Sequence, residues 1–130
     1  MSDEPRIGIG HVALAVSDVA ASAHFYADLG LKPCFENAGM AILELRGGTH
    51  LLLFSRETGP AIPAVERVDL MIAERSRAAL EAYRDGILAR GLAAGPIPDE
   101  DFYGHHMLRL RDPDGNEVVV ATSHCRATDG

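Results

Sequence analysis

The 130-residue sequence has no tryptophan, three tyrosines, four phenylalanines, two cysteines and fewer basic residues than acidic ones. Each shortage excludes something. Twelve Lys and Arg against 19 Asp and Glu leave a net charge of -7, so the chain lacks the concentrated basic surface that a phosphate backbone demands, and nucleic acid is excluded as a partner. No run of about 18 apolar residues is present to span a bilayer. The opening MSDEPRIGIG also lacks the basic stretch and apolar core of a secretory leader, so a cytoplasmic location with no membrane partner is expected. Cys34 and Cys125 have neither a CxxC partner nor paired-His zinc spacing, and in a reducing cytosol they read as two unpaired thiols without chemistry. The GxSxG, HExxH and GxxxxGK[ST] patterns are absent, and Gly8-Ile9-Gly10 precedes a strand rather than opening a helix; serine hydrolysis and dinucleotide-based hydride transfer lack support.

The 47% hydrophobic and 24% charged content suits one core, and a single domain over 1–130 is expected. An internal repeat organises it. VALAVSDVAASAHFYADLG (Val12 to Gly30) and VDLMIAERSRAALEAYRDGILARG (Val68 to Gly91) share one grammar: an apolar run, a polar start signal, then a helix closed by Gly. Each half ends in a hairpin, LELR-GG-THLLLF (Leu43 to Phe54) and LRLR-DPDG-NEVVVA (Leu108 to Ala121). The first half covers about 7–54 and the second about 67–124, joined by a connector over Ser55 to Glu66 marked by one Gly and two prolines. The pattern is β-α-β-β-β twice.

Ser17 or Asp18 caps the first helix, Val19, Ala23, Tyr26 and Leu29 line one face of it, and Gly30 suits its left-handed end. Ser76 opens the second helix, with Leu80, Tyr83 and Ile87 on one stripe, despite Gly86 inside. Gly47-Gly48 reads as a two-residue hairpin turn and Asp112-Pro113-Asp114-Gly115 as a Pro-initiated one.

The sequence resembles the vicinal oxygen chelate superfamily, which includes glyoxalase I, bleomycin resistance proteins, fosfomycin resistance enzymes, methylmalonyl-CoA epimerase and extradiol dioxygenases. The resemblance runs from Gly10 to His124. Gly10-His11-Val12, Ser17-Asp18, Ser22 with Phe25-Tyr26, Leu29-Gly30-Leu31 and Asp112-Pro113-Asp114-Gly115-Asn116 carry it. It implies an α+β fold in which two βαβββ repeats form a curved mixed-sheet cleft, that is, a glyoxalase-like domain, and it implies a homodimer. In the metal-using relatives four inward side chains, usually His and Glu, meet in the cleft. Similarity places them at His11, at Leu52 or His50, at Arg67, and at Val119 or Glu117; Leu52, Arg67 and Val119 cannot ligate a divalent ion.

Alternation along strands adds a second reading. His11, Ala13 and Ala15 face away from the helix, as do Arg67, Asp69 and Met71. The Gly-Gly turn groups His50, Leu52 and Phe54 with Leu43 and Leu45, subject to a one-residue slip. The second hairpin groups Glu117, Val119 and Ala121 with His106, Leu108 and Leu110, or a bulge brings in His105 instead. A non-standard metal set of His11, His50, His106 or His105, and Glu117, with Asp69 as a spare donor, would suit Zn, Fe, Ni or Mn. Without metal, Asp69 or Glu117 would be a general base and Arg67 or His11 would stabilise an oxyanion. Leu52, Val119, Phe102 and Tyr103 are expected to touch the ligand, a small oxygenated molecule. His24 reads as a surface or packing residue, and Ser123-His124-Cys125 as a tail. The rival expectation is a non-catalytic binding protein that sequesters a compound, as bleomycin resistance proteins do.

Overall fold

The computed structural model describes residues 6–7, 9–63, 67–99 and 104–123. The chain divides into two compact units, Met1–Ala64 and Val65–Gly130.

The first unit runs β1 (His11–Val16), α1 (Val19–Leu29), β2 (Lys32–Glu36), β3 (Met40–Glu44) and β4 (His50–Ser55). Its sheet has the order β1-β4-β3-β2, parallel at β1·β4 and antiparallel elsewhere. Asp18, not Ser17, caps α1: its Oδ1 accepts from the Ala21 N–H at 3.0 Å, which satisfies one of the orphan donors of the first turn. Gly30 ends the helix at φ 121°, a conformation that an L side chain rarely adopts. The expected stripe is buried, with Val19, Ala23, Tyr26 and Leu29 between 0% and 6% exposed, and α1 packs on β2, β3 and β4. From the strands Leu14, Val16, Leu43, Leu51 and Leu53 complete the core. Each such side chain contributes about 1.5–3 kcal/mol by leaving water.

The second unit runs β5 (Arg67–Met71), α2 (Arg77–Ala89), β6 (Met107–Arg111) and β7 (Glu117–Ala121), with sheet order β5-β7-β6. β5·β7 is parallel and β6·β7 antiparallel. Ser76 caps α2 through its Oγ, 3.1 Å from the Ala79 N–H, and Leu80 and Ile87 are fully buried. Val68, Leu108, Leu110, Val118 and Val120 form the sheet's share of the core.

The α+β class and the βαβββ pattern hold fully in the first unit, and the second departs from it at one place. Between α2 and β6 the described residues contain no regular strand. Pro96 and Pro98 have no N–H to give a ladder, and Gly95 N donates to Arg109 O of β6 at 2.9 Å. Side chains of α2 take over the work. Arg84 donates to Gly95 O (2.8 Å) and Ala94 O (3.1 Å), and Arg77 to Ile97 O (2.8 Å) and Pro98 O (2.6 Å). Arg77 and Arg84 stand seven positions apart, two helical turns, and so share a face.

Both terminal hairpins differ in register from the sequence expectation, for one reason. In the first, Leu45 N donates to Thr49 O at 2.7 Å, so the loop is Arg46-Gly47-Gly48, three residues, with Gly47 and Gly48 at φ 88° and 87°. In the second, Asp112 N donates to Asn116 O at 3.0 Å, leaving the three-residue loop Pro113-Asp114-Gly115 with Gly115 at φ 84°. Three-residue loops ending in a left-handed Gly are a common hairpin form. An odd loop count shifts each incoming strand by one residue and exchanges its two faces.

Candidate functional site

In the first unit, β1 and β4 pair His11 with His50, Ala13 with Leu52 and Ala15 with Phe54. Val12, Leu14 and Val16 take the other face; Leu14 and Val16 are buried, while Val12, near the strand's start, stays 38% exposed. Across β3·β4, His50 faces Glu44, Leu52 faces Ile42 and Phe54 faces Met40. Leu43 therefore lies on the helix side, opposite Leu51, and does not join His50 as the two-residue turn implied. Glu44 takes its place.

Strand β2 extends this open face. Lys32 pairs with Glu44 and Phe35 with Ile42, with a bulge between Pro33 and Phe35 that leaves Cys34 as the extra residue. The bulge brings two adjacent side chains, Cys34 and Phe35, to one face. Cys34 Sγ lies 4.0 Å from Glu44 Oε1, and Glu44 Oε1 lies 3.9 Å from His50 Nε2. The His50 ring tilts against His11 with centroids 5.6 Å apart. Cys34 is a free thiol, as expected, with Glu44 as its neighbour across the ladder. The three-residue loop turns Glu44 toward His50, and the Gly-Gly pair in the sequence does not by itself distinguish it from a two-residue one.

In the second unit, β5 and β7 pair Arg67 with Glu117, Asp69 with Val119 and Met71 with Ala121. β6 adds Arg111 opposite Glu117, Arg109 opposite Val119 and Met107 opposite Ala121. Leu108 and Leu110 fall on the buried face with Val120 and Val118, which corrects the grouping that placed them beside Glu117. His106 precedes Met107 and by alternation belongs to that buried face, away from Glu117. Its Nδ1 is buried without a hydrogen-bond partner among the described residues, and its backbone N–H donates to Thr122 Oγ1 at 3.0 Å. His105 takes the Glu117 side, but its Nδ1 lies 2.7 Å from Thr122 O.

The open face of this sheet carries an ionic network. Arg67 grips Asp69 through Nε (2.9 and 3.1 Å) and Nη2 (2.8 Å). It also reaches Glu117 Oε1 from Nη1 at 3.6 Å, while Arg109 Nε lies 3.7 Å from Glu117 Oε2. The hydrogen bond to Asp69 is the main cause that raises the Arg67 pKa above its ordinary value; burial works against it, and the charges of Asp69 and Glu117 add smaller upward contributions. Arg111 donates to Gly115 O at 3.0 Å. Arg109 was not foreseen, because the expected register turned it away from Glu117. Val119, one of the expected ligand contacts, is 1% exposed, whereas Leu52 is half-buried.

The other expectations are placed as follows. Phe102, Tyr103, His124 and Cys125 lie outside the described residues. Ser123 extends the β5·β7 pairing, its N–H donating to Glu74 O and its Oγ to Ile72 O at 2.8 Å. His24 is 80% exposed and pairs with Asp28 at 3.2 Å on α1. An open groove of about 290 Å³ lies between α2 and the 94–98 segment, lined by Arg77, Glu81, Arg84, Asp85, Pro96 and Ile97; the two arginines there are engaged with backbone carbonyls. No helix among the described residues is long and apolar enough to cross a membrane.

The donor chemistry decides whether a metal set of the superfamily's kind fits. The register makes His11 the direct partner of His50 and Arg67 the direct partner of Glu117. Histidine and glutamate supply lone pairs, whereas a guanidinium supplies none and stays charged. Arg67 moreover holds the carboxylates of Asp69 and Glu117. A four-donor set over these positions does not fit the residues present.

Comparison with known proteins agrees with the architecture. The chain is similar over 92% of its length to a lactoylglutathione lyase from Agrobacterium tumefaciens (22% identity, 96% of that chain, TM-score 0.71). It is similar over 92% to a virulence protein from Salmonella typhimurium (19% identity, 98% of that chain, TM-score 0.70). A glyoxylase/bleomycin resistance protein/dioxygenase domain from Frankia sp. aligns over 91% (21% identity, 98% of that chain, TM-score 0.70). At these identities the likeness is one of fold. No curated protein matches the sequence. The family model for the Glyoxalase/Bleomycin resistance protein/Dioxygenase superfamily matches residues 8–120, and the chain belongs to that superfamily.

Proposed function

We propose that the protein is an enzyme of the glyoxalase and dioxygenase type that moves a proton on a small oxygenated molecule, with Glu117 as the base and Arg67 and Arg109 as partners of the developing oxyanion. The observation that carries this reading is the network on one sheet face, where two guanidinium groups flank a single carboxylate. A carboxylate flanked in this way is held in position by charge-assisted contacts. An oxygenated ligand that takes over the Arg67 and Arg109 donors frees Glu117 to accept a proton from the carbon or hydroxyl next to that oxygen. Asp69, bound on the far side of Arg67, keeps the guanidinium oriented and is the alternative base. His11 holds in the first unit the register position that Arg67 holds in the second. No step is routed through a metal, since the donor set includes Arg67. A homodimer in the cytoplasm is part of the same proposal and rests on the family resemblance.

The test is proton exchange and conversion over a panel of vicinal diols, thiohemiacetals and catechols, followed by NMR in deuterated water. Wild type should exchange or convert at least one class, and Glu117→Gln should abolish it. A panel left wholly unexchanged and unconverted by wild type would sink the reading.

One observation favours a second reading, sequestration. The open face of the first unit is apolar away from His50, with Ile42, Leu52 and Phe54 beside Ala13 and Ala15, and Phe35 is 48% exposed. Exposed apolar surface of this kind suits ligand contact. A compound held one to one and recovered chemically unchanged would favour it over turnover.

A further inference from the structure

We infer that Cys34, Glu44 and His50 form a transition-metal site on the first unit's sheet, in which Cys34 and Glu44 are donors outside the positions that the superfamily resemblance indicates and His50 is shared with them. It does not rest on the proton-transfer reading above, which uses neither Cys34 nor Glu44. The three side chains come from three adjacent strands, β2, β3 and β4, and offer a thiolate, a carboxylate and an imidazole. Their ligand atoms all lie within 4.8 Å of one another, with 4.0 Å from Sγ to Oε1 and 3.9 Å from Oε1 to Nε2.

The magnitudes suit a tetrahedral ion. Bonds of about 2.0–2.3 Å hold N, O and S donors roughly 3.3–3.6 Å apart, so each pair must close by less than about 1.5 Å. Rotation within side-chain wells supplies this, because none of the three is locked: Cys34 is exposed, and the Glu44 and His50 side chains are 44% and 31% exposed. The backbone supplies the rest. The β2 bulge turns Cys34 toward Glu44, and the antiparallel register sets Glu44 against His50. His11, whose ring lies 5.6 Å from that of His50, stands on the same side as a candidate fourth donor. The mix of thiolate, imidazole and carboxylate selects Zn²⁺ or Co²⁺ over Mg²⁺ or Ca²⁺, which take oxygen ligands. On binding, the ion forms a bond to Sγ and the thiol proton passes to solvent, with no change of oxidation state.

The test is titration of the full-length protein with Co²⁺ alone, read by the thiolate-to-cobalt charge-transfer absorption, with Zn²⁺ then displacing the cobalt. Wild type and Cys125→Ser should each bind one Co²⁺ with that band. Cys34→Ser should lose the band, and Glu44→Gln and His50→Ala should weaken binding by about tenfold or more, at least as much as loss of a group that merely supports a ligand. Circular dichroism checks that each variant is folded, and because the substitutions fall on exposed or half-exposed positions at least one is expected to be so. Absence of the band in wild type, its survival in Cys34→Ser, its loss in Cys125→Ser, or unchanged affinity in both Glu44→Gln and His50→Ala would overturn the site.

Discussion

Arg67 and Glu117 stand directly opposite each other on the parallel strands β5 and β7, guanidinium to carboxylate at 3.6 Å. The pKa of Arg67 is raised, so its charge persists at every working pH and contributes no pH dependence of its own. If Arg67 receives an oxyanion, Arg67→Met should lower kcat/KM by about 10²–10³-fold. Arg67→Lys, which keeps the charge but not the planar fork, should fall between. The residue is 42% exposed at its side chain, so urea midpoints should hardly move, and a loss of activity matched by a loss of stability would point to a structural role.

Asp112 is 4% exposed and its carboxylate gathers the donors of its hairpin loop. Its Oδ1 accepts from the Asp114 and Asn116 N–H groups at 3.0 and 2.9 Å, and its Oδ2 from the Asn116 side chain at 3.0 Å. Asp112→Ala leaves these donors without the carboxylate, and a loss of about 2–3 kcal/mol in urea unfolding is expected.

The clamp of Arg77 and Arg84 on the 94–98 carbonyls substitutes for a strand ladder. Removing one guanidinium in Arg84→Met should cost about 1–2 kcal/mol. It should also speed limited proteolysis within 92–99 while amides of β7 keep their hydrogen-exchange protection. Uniform loss of protection across the unit would show that the segment is not an independent element.

Burial pushes the Tyr83 phenol up to about 12 from 10.0, with nearby Arg90 pulling slightly the other way. The folded chain then keeps a proton that the unfolded chain gives up, so this contribution to stability is complete below pH 10 and declines as the pH rises toward 12. Unfolding midpoints measured between pH 9 and 12 should fall, and Tyr83→Phe should flatten that part of the curve.

Local signals in the sequence carried a long way. The repeat, both helices, the caps at Asp18 and Ser76 and the helix-facing stripes follow from spacing and capping chemistry, which act over a few residues. The register of the two hairpins did not follow. A Gly-Gly pair serves a two-residue or a three-residue loop equally well, and only the ladder on either side decides. That decision moved Glu44 and Arg109 onto the open faces and Leu43, Leu108 and Leu110 off them. The absence of a regular strand among the described residues before β6 is in keeping with Pro96 and Pro98, which the repeat pattern outweighed.

The bulge at Cys34 acts as a parity bit. Strict alternation from Lys32 would send Cys34 and Phe35 to opposite sides of β2; one surplus residue leaves both on the same side and sets Glu36 opposite Ala41, where an unbroken ladder would set it opposite Met40. The chemical character of that surface, thiol beside phenyl ring, is therefore encoded in the length of a strand as much as in its letters. A single-residue deletion in β2 would rewrite it while leaving every remaining side chain unchanged.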